Sequence, residues 1–251
     1  MSRLAVCSPD PEFAEQAREL ASEFELPLVM EPWAHRYAAC LIPTAAGLQI
    51  QPGGTGASGP IQVDFGSAGM RHRRRAGQNE LLGRAVGVGK RADLRVVDAT
   101  AGLGRDSFVL ADLGCEVCMI ERSAPVYALL RDGLQRAATS ADPWLQQVCA
   151  RMHLLQGDSL LRLGELQADV IYLDPMFPER KKSARAKKEM WLFQDLLGDD
   201  ADASAVLELA LQQATYRVAV KRPLKAPALG SRVPGFTLKG RSVRFDVYSC
   251  A

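Results

Sequence analysis

No stretch of this 251-residue chain is apolar for long enough to cross a bilayer. The amino end, Met1-Ser2-Arg3-Leu4-Ala5-Val6-Cys7, lacks the long apolar segment of a secretory signal. The expected location is cytosolic, with no membrane partner. Charge of one sign is also scarce. Lysine and arginine number 31 against 29 acidic residues, a net +2, so any nucleic-acid surface must come from local clustering. Histidine is rare, and His35, His72 and His153 stand in no nucleophile or metal arrangement. Of six cysteines the one close pair is Cys115 and Cys118, in a strand-like run where positions three apart face opposite sides. No second pair or Cys/His partner stands at zinc spacing, so no metal is expected. The thiols read as reduced and mostly buried, since free cysteine behaves as a small apolar residue. There is no internal repeat and no low-complexity tract.

What the chain does have is a 47% hydrophobic content, enough for a full core in one large α/β domain or a domain with an appendage. Residues 1–90 differ in texture from the rest. A short strand is expected at 4–7, a helix at 11–24 with Phe13, Ala17, Leu20 and Phe24 on one face, and short strands at 37–42, 48–51 and 61–65. This predicts a small α+β region. A linker over 66–90 follows, carrying the basic run Arg71-His72-Arg73-Arg74-Arg75.

Residues 91–251 form the second predicted domain. Here strands at 95–98, 116–120, 152–155, 170–173, 216–220 and 243–248 alternate with helices at 107–113, 125–138 and 205–214. Ser123 is the expected cap of the second of these helices, with Pro125 in its first turn. Such alternation gives a mainly parallel sheet with helices on both faces, a Rossmann-like α/β fold.

The most telling stretch is Val96-Val97-Asp98-Ala99-Thr100-Ala101-Gly102-Leu103-Gly104-Arg105-Asp106. A buried strand ends on a carboxylate, turns through two glycines and enters a helix, where α/β sheets hold nucleotide-like ligands. The glycines let the backbone turn sharply and approach a ligand, and the helix N-terminus can meet a carboxylate. Glu121, at the tip of the second strand, can accept both ribose hydroxyls of an adenosine group. Asp158 and Ser159, after the third, can bond an adenine amine. The dinucleotide fingerprint would need Gly or Ala at Ser107. Asp98 fits a cofactor with a positively charged end, as S-adenosylmethionine has. A plain structural glycine turn, with Glu121 a solvated strand end, is the competing reading.

A later strand runs into Asp174-Pro175-Met176-Phe177-Pro178. Exocyclic amines of nucleobases are poor nucleophiles because the lone pair is delocalised into the ring. A carboxylate and a backbone carbonyl at a rigid turn can accept the amine's hydrogens and aim the lone pair. Asp174 supplies the first and Pro175 fixes the turn. Phe177 can stack on the base, a contact worth roughly 1–3 kcal/mol. The usual tetrapeptide of amino-methyltransferases is Asp/Asn-Pro-Pro-aromatic, and here Met176 replaces its second proline. Directly after it come Arg180, Lys181, Lys182, Arg185, Lys187 and Lys188, and Lys221 and Arg222 follow the fifth strand at the same sheet end. These are candidate phosphate contacts, as Arg71 to Arg75 are, against the alternative of solvated surface.

Together these residues resemble the ribosomal small-subunit methyltransferase J family, bacterial 16S rRNA guanine-N2 methyltransferases. The resemblance runs from about Gly66 to Tyr248, and more loosely to the amino end. It rests on the stretch Val97 to Asp106, on Glu121-Arg122, and on Tyr172-Leu173-Asp174-Pro175-Met176-Phe177-Pro178. Lys187-Lys188-Glu189-Met190, Val220-Lys221-Arg222-Pro223 and Arg244-Phe245-Asp246 add to it. It implies a class I methyltransferase fold, S-adenosylmethionine as cofactor, and cofactor contacts at Arg105, Asp106, Glu121, Arg122, Asp158, Ser159 and Asp174. It also implies guanine N2 as target and 16S rRNA as partner, naked or within an assembling small ribosomal subunit. Two other readings stay open on the residues alone: a DNA or small-molecule amino-methyltransferase, and a non-catalytic RNA-binding protein on an empty Rossmann-like fold.

Overall fold

The structure is a computed structural model that describes residues 3–30, 37–53, 59–75, 78–176 and 202–250. The amino-terminal elements are β1 (Leu4–Cys7), α1 (Ala14–Glu23), β2 (Leu28–Val29), β3 (Ala39–Ile42) and β4 (Gln49–Pro52). Next come α2 (Ala68–Arg75), α3 (Gln78–Val86), β5 (Arg95–Asp98), α4 (Arg105–Asp112), β6 (Glu116–Glu121), α5 (Ala124–Ala138) and α6 (Pro143–Cys149). The last are β7 (Met152–Gln156), α7 (Ser159–Arg162), β8 (Ala168–Leu173), α8 (Ala203–Gln213), β9 (Ala214–Pro223), β10 (Phe236–Lys239) and β11 (Val243–Ser249).

The chain divides into two compact units. Among the described residues, one comprises the segment up to Val63, residues 123–136 and Met176; the other comprises those of 64–122, 137–175 and the residues from 202 onward. In the first, four strands form a sheet in the order β2-β1-β3-β4. α1 buries Ala17 and Leu20. Residues of α5 join this unit through side chains. Arg131 makes a two-pronged pair with Glu23, at 2.5 and 2.7 Å. It also lies over the rings of Phe24 and Tyr127. The guanidinium holds the Glu23 carboxyl below its ordinary range. Gly133 presses against Val63, where an added Cβ would meet Val63 Cγ1 at 2.5 Å and its carbonyl oxygen at 3.0 Å.

The second unit holds a seven-stranded sheet in the order β10-β11-β9-β8-β5-β6-β7. β5, β6, β7, β8 and β9 run parallel and β11 is antiparallel to its neighbours β9 and β10. The central strands are buried, as a sheet covered on both faces requires, and Val97, Val117, Ile171 and Val218 are each at most 2% exposed. The order reverses between β5 and β8, which opens a crevice at the carboxyl ends of those strands.

Sequence and structure part company at several elements. Residues 61–65 alternate like a strand, yet Ile61 makes an isolated bridge to Ile50 and no ladder follows. Their alternation has another cause: Val63 packs on Gly133, and Phe65 stacks on Phe108 with ring centres 5.3 Å apart. The stretch 66–90 contains α2 and α3, which bury Met70, Leu82, Ala85 and Val86. Arg71 of the basic run pairs with Asp142 at 2.6 Å and lies over Trp144. The six cysteines are free thiols, and burial pushes Cys40 and Cys115 up to about 11 and Cys149 to about 12. No helix among the described residues is long and apolar enough to cross a membrane, and no cluster of His, Cys, Asp or Glu among them could hold a metal.

Candidate cofactor and amine site

β5 delivers Asp98 to the crevice, 1% exposed. Beyond it the chain turns through Gly102 and Gly104 at φ +54° and +69°, the left-handed region that only glycine enters without strain. Gly104 is the N-cap of α4 and provides no side-chain acceptor to the first amides. Those amides and the positive end of the helix are suited to an anionic ligand group. Across the loop, the Glu121 carboxylate at the tip of β6 accepts the Gly102 N–H at 2.9 Å through Oε2. This bond fixes the loop against the neighbouring strand and places a buried carboxylate beside it.

Asp98 accepts the Thr100 N–H at 3.1 Å through one oxygen and the Ser107 hydroxyl through the other. Burial dominates its electrostatics and pushes the carboxyl up to about 6; the Asp174 charge pushes the same way, while the two hydrogen bonds and Lys221 oppose it.

The parallel registers assemble the rest. Asp98 pairs with Tyr172 on β8, and Tyr172 with Ala219 on β9. Two residues further along each strand, on the same face, stand Asp174 and Lys221. Lys221 Nζ donates to Asp174 Oδ2 and to Asp106 Oδ2, both at 2.7 Å. The Tyr172 hydroxyl donates to that same Asp106 oxygen at 2.6 Å. The Asp174 N–H donates to Thr100 Oγ1 at 2.6 Å, which ties the turn after β8 to the glycine loop. Pro175 is buried in this turn.

Of the predicted site residues, Asp98, Gly102, Gly104, Asp106, Glu121 and Asp174 gather at this crevice. Ser159 joins them through its hydroxyl, which donates to the Ala99 carbonyl at 2.6 Å. Asp158 caps α7 by accepting the Leu160 N–H at 2.8 Å through Oδ1. Arg105 is exposed, and Arg122 pairs with Asp202 at 3.0 Å. Lys221 and Arg222, expected together on a phosphate surface, face opposite sides because strand neighbours alternate. Lys221 is engaged by two carboxylates. Arg222 is 3% exposed and donates to the Pro227 carbonyl at 3.0 and 2.7 Å. Phe177, Arg180, Lys181, Lys182, Arg185, Lys187 and Lys188 lie outside the described residues. Sequence reasoning missed Thr100, Ser107 and Tyr172 as parts of the site. Thr100 and Ser107 flank the two glycines, and Tyr172 lies two places before Asp174, so proximity to the motifs was the available signal.

The crevice suits S-adenosylmethionine. Its uncapped amides fit the methionine carboxylate, Glu121 fits the ribose, and the acidic lining of Asp98, Asp106 and Asp174 fits a cation. The sheet and this site define a class I S-adenosylmethionine-dependent methyltransferase. Comparison with known proteins narrows the class. A family described as putative SAM-dependent methyltransferase matches residues 20–250. A ribosomal RNA small subunit methyltransferase J of Cellvibrio japonicus is 47% identical over 256 residues, covering 97% of this chain and 96% of its own. The protein of that name from Pseudomonas paraeruginosa is 47% identical over 251 residues, covering 98% and 94%. The crystal structure of a SAM-dependent methyltransferase from Neisseria gonorrhoeae matches with a TM-score of 0.76 at 34% identity, over 98% of this chain and 95% of that one. The chain belongs to the ribosomal RNA small subunit methyltransferase J family.

Proposed function

We propose that the protein methylates the exocyclic N2 amine of a guanine in 16S rRNA, in the cytoplasm, on naked rRNA or on an assembling small subunit. The observation that carries this reading is Asp174, its backbone tied to the glycine loop through Thr100 and its carboxylate held by Lys221 at the end of β8, in a chain 47% identical to relatives named for small-subunit rRNA. When bound, S-adenosylmethionine supplies a methyl group made electrophilic by its sulfonium. The glycine loop and the α4 N-terminus, including Arg105 and Asp106, hold its amino-acid end. Glu121 and Arg122 hold the ribose side, and Asp158 and Ser159 the adenine.

Asp174 accepts one amine hydrogen and the carbonyl of Pro175 the other, which turns the nitrogen lone pair toward the methyl. The extra proton on the methylated nitrogen then passes to the Asp174 carboxylate. Phe177 stacks on the guanine, and Arg180, Lys181, Lys182, Arg185, Lys187 and Lys188 touch flanking phosphates. Much of the rate gain comes from holding amine and methyl in line.

The test is mass spectrometry of nucleosides after incubation with isotope-labelled cofactor. Labelled N2-methylguanosine in 16S rRNA, supplied naked or as assembled subunit, is the expected result. Label on DNA or protein with both rRNA forms unlabelled would overturn the proposal.

A further inference from the structure

Lys221 is the one strongly basic group described inside an acidic crevice, and its place is dictated by the sheet. Leu173 pairs with Val220, so the next residues along the parallel strands, Asp174 and Lys221, lie side by side. The ammonium sits 2.7 Å from one oxygen of Asp174 and 2.7 Å from one oxygen of Asp106. The Lys221 side chain is 19% exposed and that of Asp106 9%, so the Lys221–Asp106 pair is no solvated surface pair, while the Asp174 side chain is 39% exposed. A phosphate would have to displace two carboxylates that already neutralise the ammonium, and it would meet their charge on approach. Contact with RNA is therefore a poor account of this residue.

We propose that Lys221 is a positioning residue for methyl transfer: it fixes the orientation of the Asp174 carboxylate toward the target amine. Three features of the geometry support this. The ammonium occupies Asp174 Oδ2, and Oδ1 has no hydrogen-bond partner among the described residues, so one oxygen is clamped and the other is left to accept the amine. The Asp174 backbone is held independently by Thr100, so the lysine acts on the side chain alone. The second carboxylate on the ammonium belongs to Asp106, in the first turn of α4, and is braced by the Tyr172 hydroxyl. Lys221 thus ties the helix that receives the cofactor to the turn that receives the amine. The titratable groups around it are Asp106 on α4, Asp174 after β8, Tyr172 on β8 and, at longer range, Asp98 on β5. Without the ammonium, Asp98, Asp106 and Asp174 would have no cation between them, and like charges that close favour protonation of one of them.

The proposal rests on Asp174 as the amine acceptor, so the experiment pairs two substitutions in the full-length chain. Lys221→Met should lower kcat about tenfold or more at saturating cofactor and RNA. Its RNA KM and salt dependence should stay near wild type, and cofactor affinity should hold or tighten, because the pocket becomes more acidic. The acidic limb of its kcat profile should move to higher pH, which a merely structural lysine would not cause. Lys221→Arg, which keeps the charge and two donors, should recover most of kcat and return the limb toward wild type. If Lys221→Met melts, Lys221→Gln carries the same test. A raised RNA KM with a flattened salt slope and unchanged kcat would overturn the proposal in favour of a phosphate contact. Unchanged kcat and pH profile alongside an inactive Asp174→Asn would overturn the role of Lys221 alone. An active Asp174→Asn would instead overturn the reading of Asp174 on which it rests.

Discussion

Cofactor binding near pH 6 should release protons, and the source is Asp98. Burial pushes its carboxyl up to about 6 against an ordinary 3.8, with Ser107 and Thr100 only partly offsetting the loss of water. A cation placed against that carboxylate favours its ionised form, so binding and deprotonation are linked. At pH 6 half of the Asp98 side chains carry a proton, so about half a proton should leave per cofactor bound, falling towards zero above about pH 7.5. Affinity should rise about tenfold between pH 5 and 7, a window in which α-carboxyl and α-amino groups of the cofactor keep their charge. Calorimetry in buffers of different ionisation enthalpy reads the proton count directly. S-adenosylhomocysteine, which lacks the sulfonium charge, should release fewer protons, and Asp98→Asn none. The same raised value makes Asp98 a burden on the free protein. As pH climbs from about 4 to about 6 the unfolded chain ionises this residue while the folded one retains its proton, so stability is lost, up to about 3 kcal/mol above pH 6. Asp98→Asn should therefore melt higher than wild type at pH 7.5, with the gap closing toward pH 4, while binding cofactor more weakly. Absence of proton release at pH 6, together with flat affinity from pH 5 to 7, would show that Asp98 does not face the cofactor's positive end.

Five further outcomes are expected. Glu121→Ala should weaken cofactor binding by roughly 1.5–3 kcal/mol in calorimetry, the range for a hydrogen bond to a charged group; unchanged affinity in a folded mutant would remove Glu121 from the ribose role. Asp174→Ala should lower turnover far more than cofactor affinity, and Phe177→Ala should raise the RNA KM; an Asp174→Ala enzyme with full turnover at saturation would contradict the mechanism. Replacing Lys181, Lys182 and Arg185 with glutamate should weaken RNA binding and flatten its salt dependence by about one unit of slope per lost phosphate contact, without altering cofactor affinity. Gly133→Ala should cost about 1–3 kcal/mol in denaturant unfolding, because its Cβ would meet Val63 at 2.5 Å; a neutral result would mean that α5 can move away from Val63 freely.

The parts of the fold legible in the sequence were those whose signal is local. β5, β6, β8 and β9 are apolar runs buried on both faces, and they were predicted to within a few residues. β2 and β10 escaped because they are short, with Leu28 43% and Phe236 41% exposed, so no apolar pattern marks them. α6 could have been read: Asp142 accepts the Trp144 N–H at 3.1 Å as its cap and Pro143 opens it, a combination visible in the letters. In the site, the glycine loop, Glu121 and Asp174 announced themselves by motif. The role of Lys221 did not, because it depends on the register between β8 and β9, which no local pattern encodes. Arg222 misled for the complementary reason. Adjacent basic residues look like one patch in a string of letters but point to opposite sides on a strand.

The first compact unit is built from segments far apart in the chain. Among the described residues, the segment up to Val63 is joined by residues 123–136, which lie in the chain between β6 and β7 of the other unit's sheet. During synthesis, therefore, the leading segment cannot finish folding when it emerges. At about 5–20 residues per second it waits several seconds for α5 to leave the ribosome. Until then Glu23 lacks Arg131, and Val63 lacks the flat face of Gly133. An amino-terminal fragment ending near residue 63 would be an incomplete body, and a deletion of the first 63 residues would strip the partner surface from a helix that the sheet connection still has to make.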